Sequence, residues 1–579
     1  MTVAGTGWGV RLSLLLVGTM AAAPFLEPRH YPLFRHFYSE WSAAALGLAA
    51  GAALFAGGAL ARGFAVPRIA VIPAGLMAIA LLQLALQQPV YPAQTLVFML
   101  YLIWAALLAV VGHALAATVG LARVMRALAW GLLAGGLASA LSGVLQLIDA
   151  GPAYGLVAQS QAVGGNLAQP NHFADQLWLA CAAALYLFAD GRLNRAYFVV
   201  AASVLLALSI LSTSRSVFLY LIALVALSLA WQRRAAGADE RKKRLFAGAV
   251  AVLGLFVLLQ LILAGSGFPT GVARLSDVSG TSIRLRLWQT ALDIFFAHPL
   301  LGAGIGQFSW QTFLAGLSWD GVVAEHAHNV VMQLLAEMGI FAALLVAAAL
   351  LAWLGRVLRQ TPDTACWFAL AVLAVVGIHS QLEYPLWYTY FLGPFALVLG
   401  AADPRGHGVR AARAVRIALV AVLLLGAVLL AEAIDDYAQL RSGALPAPER
   451  LEKLRRNMFF TAHLDLRLAA AMPLSGEARA EKLAVCRDAL RFYPIWQVAY
   501  KCALLHALEG EAGRAASLWR LAGAAFPGAL PAVIDELRRM PEARDGVPAA
   551  LLAAGEQRLA ELQAKGVSGD GKTPPPRSR

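Results

Sequence analysis

The chain has little charge for its length. Of its 579 residues only 14% are charged, whereas 60% are hydrophobic, and the mean hydropathy is +0.67. So apolar a composition excludes a set of ordinary soluble domains and is typical of a protein that crosses a membrane many times. Because lipid offers the backbone no hydrogen-bond partners, we expect an all-α polytopic membrane protein.

Cysteine is also scarce. The four cysteines exclude a disulfide scaffold, and none has CxxC spacing. Cys181 and Cys366 lie in apolar runs, where they are expected to pack. Cys486 and Cys502 lie in the C-terminal region, where a disulfide is left open.

The chain has fewer acidic than basic residues, which gives a net charge of +13. The cations occur in short clusters between apolar runs, as orientation signals do, so nucleic-acid binding is not expected. A cleavable signal is not expected either, because the first apolar run, Trp8 to Phe25, follows no basic segment. We interpret that run as the first span.

About thirteen apolar runs are long enough to cross a bilayer. They cover residues 8–26, 42–61, 68–87, 94–117, 126–149, 173–190, 196–212, 214–232, 245–265, 329–354, 364–382, 385–402 and 414–432. Counting them places most cationic clusters on one side, which we interpret as the cytoplasm. These clusters are Arg62/Arg68, Arg123/Arg126, Arg192/Arg195, 233–244, Arg356/Arg359 and 405–416. The alternate connectors carry few cations, except Arg274, Arg284 and Arg286 in the longest.

The resulting division of the chain has five parts. They are N-terminal spans (1–265), a large outer loop (266–328), C-terminal spans (329–432), an outer helical region (433–565) and a disordered tail (566–579). In the helical region, the sequence RFYP at 491–494 recurs as AAFP at 524–527, which suggests a short TPR-like array. Such an array would bind a polypeptide, although a helical cap without a partner fits equally well.

Two polar groups fall in the outer connectors before the eighth span. Asn171 is a candidate cap for a helix whose first turn holds His172 and Asp175, and such a helix start suits an anion. The alternative is a capped helix without a ligand. Arg215, at a break between apolar runs, needs an acidic partner or a phosphate unless it reaches the lipid headgroups.

Further polar residues lie within the longest outer connector. Arg284 and Arg286 would point in different directions on a helix, so only one of them is expected to touch a ligand. The glycine-rich segment that follows, 302–306, has no βαβ context and is interpreted as a re-entrant or interfacial turn.

His328, beside Glu325 and His326 at the start of a span, is a candidate general base. A metal site and a structural histidine remain alternatives for this group. In the last outer connector, Glu383 is a counter-charge for an arginine. Tyr384 and Trp387 belong to an interfacial belt or stack on sugar rings.

In these motifs the chain resembles the O-antigen ligase superfamily and, within it, the PglL-type bacterial protein O-oligosaccharyltransferases. The superfamily motif residues are Thr213 to Arg215, Arg284, Arg286, Trp288, His298 to Gly304, Phe308, His328, Asn329, Gln333, Leu334, Glu337 and Gly339. The subgroup motif residues are Gly165, Asn166, Gln169 to His172 and Leu382 to Tyr388.

The resemblance implies a helical bundle of the GT-C type in the bacterial inner membrane, with its active site facing the periplasm. It implies transfer of a glycan from undecaprenyl diphosphate to Ser or Thr hydroxyls of a pilin-like periplasmic protein, without a metal cofactor. His328 would be the catalytic base. Arg215 would act in catalysis and, with Arg284, Arg286 and His172, bind the diphosphate. The residues that would contact the acceptor or the glycan are Asn171, Gln169, Asn329, Glu383, Tyr384 and Trp387.

Other functions remain open. The same chemistry would serve ligation of O-antigen to lipid A-core or polymerisation of repeat units. A transporter is a further alternative, although the repeated halves and paired broken spans of many transporters are not evident. A structural scaffold is the weakest alternative.

Overall fold

The computed structural model describes residues 7–31, 34–86, 91–150, 162–234, 239–272, 279–318, 321–410, 412–441, 447–474 and 478–564. The predicted disordered tail at 566–579 lies outside these residues. Within them the fold is almost entirely helical, which confirms the predicted fold class.

Fifteen of the described helices precede the C-terminal region. They are α1 (Trp8–Met20), α2 (Phe37–Ala56), α3 (Val71–Ala85), α4 (Pro92–Val119), α5 (Leu121–Leu147), α6 (Pro170–Ala189), α7 (Arg195–Leu211), α8 (Ser216–Arg233), α9 (Glu240–Gly265), α10 (Ser279–Ala297), α11 (Phe308–Leu314), α12 (Val330–Leu358), α13 (Thr364–His379), α14 (Thr389–Ala402) and α15 (Arg413–Leu440). Seven more follow: α16 (Pro448–Arg455), α17 (Thr461–Ala471), α18 (Arg479–Phe492), α19 (Trp496–Leu508), α20 (Ala512–Ala525), α21 (Leu530–Arg539) and α22 (Gly546–Ala564).

Ten of the described helices are long and apolar enough to cross a membrane. The other three predicted spans are the apolar helices α7, α13 and α14, of 17, 16 and 14 residues. Helix α6 is the most enclosed of the ten, because neighbouring helices bury nearly all of it. It therefore forms the centre of the bundle and fixes the residues at its start.

The cationic connectors meet at one end of the bundle, as the charge pattern predicts. Asp190 lies 3.3 Å from Arg241, 3.6 Å from Arg192 and 3.9 Å from Arg126. The connectors after α2 and α14 also meet there, because strands β1 (Gly63–Pro67) and β2 (Gly406–Arg410) pair antiparallel, with Gly63 opposite Arg410. The sequence analysis did not predict this ribbon.

Helix α12 is broken at Gly339, whose φ of +73° is left-handed. The break leaves some backbone groups of α12 without a hydrogen-bond partner inside the helix. The glycine-rich turn provides those partners. Ala303 N donates to Ala336 O at 2.8 Å, and Ile340 N donates to Pro299 O at 2.9 Å. Since a broken span needs such partners in lipid, the turn and the break stabilise each other. The turn thus packs against a span, as its re-entrant interpretation requires.

A side chain from α3 completes this contact. The amide of Gln83, which is fully buried, donates to Leu301 O at 2.6 Å and to Glu337 O at 2.7 Å. The Glu337 carboxylate accepts a hydrogen bond from Phe308 N at 3.0 Å. The first part of α12 is therefore held from two sides, just after the residues that begin it.

The C-terminal helices form a separate apolar core that includes part of the outer loop. Phe313 and Val323 are buried among the side chains of α18 to α22. A disulfide between Cys486 and Cys502 joins α18 to α19, which answers the question the sequence left open. The two repeated motifs close α18 and α20, as predicted, whereas α15 continues beyond the predicted boundary at 432 to Leu440.

Gly339→Ala is expected to lower the free energy of unfolding by about 2 kcal/mol or more. Its φ disfavours a side chain, and a Cβ there would lie 2.2 Å from Leu300 O. The unfolding temperature of the purified protein in detergent measures the effect.

Gly355→Ala on the same helix is the matched control, since a Cβ there meets nothing within 4 Å. It should be neutral or stabilising, because alanine favours a helix more than glycine does. Equal unfolding temperatures for the two variants would contradict the account of the break.

Candidate functional site

The start of α6 is set by Gln169 and Pro170. Gln169 Oε1 accepts a hydrogen bond from His172 N, and Pro170 occupies the first helical position, where no amide donor is needed. The predicted cap at Asn171 is therefore wrong, because Asn171 already lies within the first turn. Its side chain is left to make tertiary contacts.

Asn171 bonds with two other parts of the chain. Its Nδ2 donates to Glu383 Oε1 at 3.0 Å, and its Oδ1 accepts from Ser214 Oγ at 2.7 Å. Ser214 lies beside Thr213, a residue with a left-handed φ of +58°, and beside the half-buried Arg215 at the start of α8. The structure thus brings together the two polar groups that the sequence placed in separate connectors.

Glu383 is the centre of the cluster. It is only 8% exposed and lies between α13 and α14. Its Oε1 accepts from Asn171 and also from Arg284 Nη2 at 3.1 Å, while its Oε2 lies 2.7 Å from His328 Nδ1. The prediction that Glu383 is the counter-charge of an arginine is confirmed.

His328 is held at the start of α12 by its neighbour. Asn329 caps the helix, since its Oδ1 accepts from Val331 N and Met332 N. Asn329 Nδ2 also donates to Gln381 O at 3.2 Å, which ties the helix start to the turn that carries Glu383. His328 itself has a left-handed φ of +51° and a side chain that is 30% exposed.

The contact with Glu383 determines the tautomer of His328. An ionised carboxylate only accepts hydrogen bonds, so the proton of the neutral imidazole must be on Nδ1. The lone pair is then on Nε2, which makes Nε2 the atom able to accept a proton from a substrate. The arrangement is that of a general base oriented by a buried carboxylate.

The charges around His328 support this arrangement. Burial raises the pKa of the Glu383 carboxyl, but the hydrogen bond from His328 and the charge of Arg284 act in the opposite direction, and the pKa lies below its ordinary value. Burial lowers the pKa of His326 to about 3 and raises that of Glu325. Glu383 and Arg284 are therefore the charges that contact one another at this position.

The two arginines of α10 differ, as predicted. Arg284 is half-buried and contacts Glu383, whereas Arg286 is exposed. Arg215 directly follows Ser214, which contacts Asn171. The segments that carry Arg284 and Arg215 therefore converge on Asn171 and Glu383.

Aromatic residues near the carboxylate contact His326 and His172. His326 lies against the rings of Tyr384 and Trp387, at centroid distances of 4.3 and 5.4 Å. His172 is buried deeper, where its Nδ1 lies 3.0 Å from the hydroxyl of Tyr390. His172 therefore contacts aromatic residues rather than the arginines.

The sequence analysis did not single out the pair formed by Asp175 and His379. Both side chains are buried inside the bundle, 3.4 Å apart, one turn from Asn171 and Glu383 respectively. His379 O also accepts a hydrogen bond from Glu383 N at 2.8 Å. A histidine and an aspartate at membrane depth were the available signal, since such residues are costly there without a partner.

The residues that the structure describes contain no group of three or more His, Cys, Asp or Glu side chains able to hold a metal ion. Glu325, His326 and His328 thus do not form the alternative metal site. Independence from a metal cofactor stays a prediction.

Two family models match the chain. Residues 197–347, which include Arg215, Arg284 and His328, match the O-antigen ligase family. Residues 367–537, which include Glu383, match "Virulence factor membrane-bound polymerase, C-terminal". The candidate site thus combines residues from both matched regions with Asn171, which precedes them.

Two curated relatives come from Acinetobacter baylyi. A "General O-oligosaccharyltransferase" is 28% identical over 289 residues, which are 47% of this chain and 49% of the relative. A "ComP-specific O-oligosaccharyltransferase" is 26% identical over 244 residues, which are 41% of this chain and 43% of the relative. The chain spans about half the length of the curated relatives it matches. The resemblance stated from the motifs is confirmed.

If the chain catalyses the O-glycan transfer for which its two relatives are named, Glu383→Gln is expected to lower the rate by about 100-fold or more, because an amide does not hold Nδ1–H of His328 as a carboxylate does. Transfer is measured by the intact mass of an acceptor protein. Glu432→Gln, which changes an exposed carboxylate on α15, is the matched control and should retain activity. Retained activity in Glu383→Gln would contradict the orienting role.

The same carboxylate predicts a pH dependence of stability. Because the folded pKa of Glu383 is lowered, its contribution is complete above the unfolded pKa of about 4.3 and is lost as pH falls through the lower folded value. The unfolding temperature of the wild type should exceed that of Glu383→Gln by a constant margin from about pH 7 to about pH 5. The margin should shrink below about pH 4. A margin that disappears between about pH 7 and pH 6 would contradict the lowered pKa.

Proposed function

We propose that the protein is an O-linked oligosaccharyltransferase that transfers a preassembled glycan en bloc from undecaprenyl diphosphate to Ser or Thr hydroxyls of periplasmic proteins. The observation that carries the proposal is the contact of one buried carboxylate with both His328 and Arg284. Through this carboxylate, a candidate general base lies close to a cation, and a departing diphosphate needs such a cation. Similarity to relatives named O-oligosaccharyltransferases supports the reaction class.

In the proposed step, His328 Nε2 takes the proton of the acceptor hydroxyl as its oxygen attacks the anomeric carbon. The bond between that carbon and the diphosphate oxygen breaks, and the electron pair leaves with the diphosphate. Arg284 and Arg215 stabilise the growing negative charge. Attack opposite the leaving group gives inversion at the anomeric carbon. Because a diphosphate is already a good leaving group, the step uses no general acid.

Three features support the inner membrane and the periplasm as the location. Ten of the helices that the structure describes are of spanning length, and the cationic connectors meet at the end of the bundle opposite the candidate site. The disulfide between Cys486 and Cys502 suits an oxidising compartment. The C-terminal helices, on the same side as His328, would then lie in the periplasm.

A saccharide acceptor is the second candidate. It is favoured by the match of residues 367–537 to a family described as a membrane-bound polymerase. In that case the same base and cations would serve ligation or polymerisation of a glycan. The identity of the acceptor distinguishes the two candidates.

The test is co-expression in a ligase-deficient bacterium that makes a lipid-linked glycan, with a pilin-like periplasmic acceptor. A glycan-sized gain in acceptor mass is expected for the wild type, and His328→Ala should lose it by about 100-fold or more. His407→Ala, on the exposed strand β2, is the control and should retain transfer.

Lipopolysaccharide is assayed in the same cells. Glycan found only there would replace the protein acceptor with a saccharide acceptor. Transfer that persists in His328→Ala would contradict its assignment as the base.

A further inference from the structure

Asp175 and His379 form a buried pair that the proposed transfer step does not use. Asp175 lies on α6, His379 is the last residue of α13, and Asp175 Oδ2 lies 3.4 Å from His379 Nδ1. Both side chains are fully buried inside the bundle, so neither is placed to touch a substrate. Any role of the pair in transfer must therefore act through other residues.

Glu383 is attached to His379 through the backbone. Its N–H donates to His379 O at 2.8 Å, one turn beyond the end of α13. On α6, Asp175 follows Asn171 by four residues, so the two side chains lie on the same face of the helix. The hydrogen bond from Asn171 to Glu383 is thus one link between α6 and this turn. The buried pair is a second link, one helical turn deeper.

The residues just after α13 also hold the start of α12. Ser380 O accepts a hydrogen bond from Val330 N at 2.8 Å, and Gln381 O accepts one from Asn329 Nδ2 at 3.2 Å. These two donor residues directly follow His328 in the chain. The end of α13 therefore positions the candidate base as well as its carboxylate.

Packing and electrostatics hold the side chain of His379 in place. Its ring contacts the rings of His172 and Phe391, at centroid distances of 5.5 and 5.7 Å. Inside the bundle, attraction between an imidazolium and a carboxylate is much stronger than in water. The pair with Asp175 is thus a fixed point for the turn that carries Glu383.

The same pair is poorly suited to stabilise the fold. Neither carboxylate oxygen of Asp175 and neither ring nitrogen of His379 has a hydrogen-bond partner among the described residues. Taking such groups out of water costs at least as much as their attraction returns, and apolar residues of similar volume often stabilise a protein equally well. Stability alone therefore does not account for an aspartate and a histidine at this depth.

We propose that Asp175 and His379 are positioning residues. They fix the end of α13 against α6 and thereby hold the carboxylate of Glu383 on His328. The effect on transfer rests on the proposed function, whereas the effect on Glu383 can be measured without a substrate.

The first test is a stability cycle that needs no activity. Asp175→Ala/His379→Leu replaces the pair with apolar side chains of similar total volume. Glu383→Gln is introduced into the wild type and into this double variant, and the unfolding temperatures of the four proteins are measured in detergent. Glu383→Gln should lower the unfolding temperature less in the double variant, because the carboxylate is no longer held against its donors there.

Glu432→Gln, which changes an exposed carboxylate on α15, is the matched control and should have the same effect in both backgrounds. Asp175→Asn keeps the shape of the side chain and removes its charge, so it serves as a second variant should the double variant fail to fold. It should show the same reduction to a smaller extent. An equal effect of Glu383→Gln with and without the pair would overturn the proposal.

The second test measures transfer. The double variant should lower kcat by about 10-fold or more, since a misplaced catalytic group can cost about 100-fold. KM for the lipid-linked glycan should stay as in the wild type, because the pair touches no substrate. In the Glu383→Gln background, replacing the pair should change kcat little, because the pair acts through that carboxylate.

Two kinetic results would contradict the positioning role. One is the same fold loss of kcat in both backgrounds, and the other is a raised KM with an unchanged kcat. If the wild type transfers glycan to neither protein nor saccharide, the proposed function fails, and the stability cycle still decides whether the pair positions Glu383.

Discussion

The buried carboxylate of Glu383 requires compensation, and the donors that supply it come from three distant parts of the chain. Asn171 lies at the start of α6, Arg284 on α10 and His328 just before α12. A charge with so little exposure is costly without these partners. The relative positions of the three helices, and hence the geometry of the candidate base, depend on this one group.

The support of His328 extends away from the carboxylate. Asn329 caps α12 and holds the turn before Glu383, and the break at Gly339 allows the glycine-rich turn to bond with the helix backbone. Gln83 adds a contact from α3. The base is thus placed by side chains on rigid elements, as catalytic geometry requires.

The features that were predicted correctly from the sequence are those that depend on a local pattern of residues. Apolar runs located the helices, helical spacing separated Arg284 from Arg286, and charge identified Glu383 as an arginine partner. The cap at Asn171 was wrong because local propensity favours asparagine, whereas the structure uses Asn171 for contacts with Ser214 and Glu383. Pairing of β1 with β2 and the contacts at Gly339 join residues far apart in sequence, so periodicity carries no signal for them.

The outer loop shares its apolar core with the C-terminal helices, since Phe313 and Val323 are buried there. Ser309 and Val323 also bond with the turn between α18 and α19. The segment that leads to the base therefore belongs structurally to the region after α15, although α12 to α15 separate them in the chain. A functional chimera between relatives would therefore have to exchange residues 308–323 together with that region. The two segments form one structural unit although they are separated in the sequence.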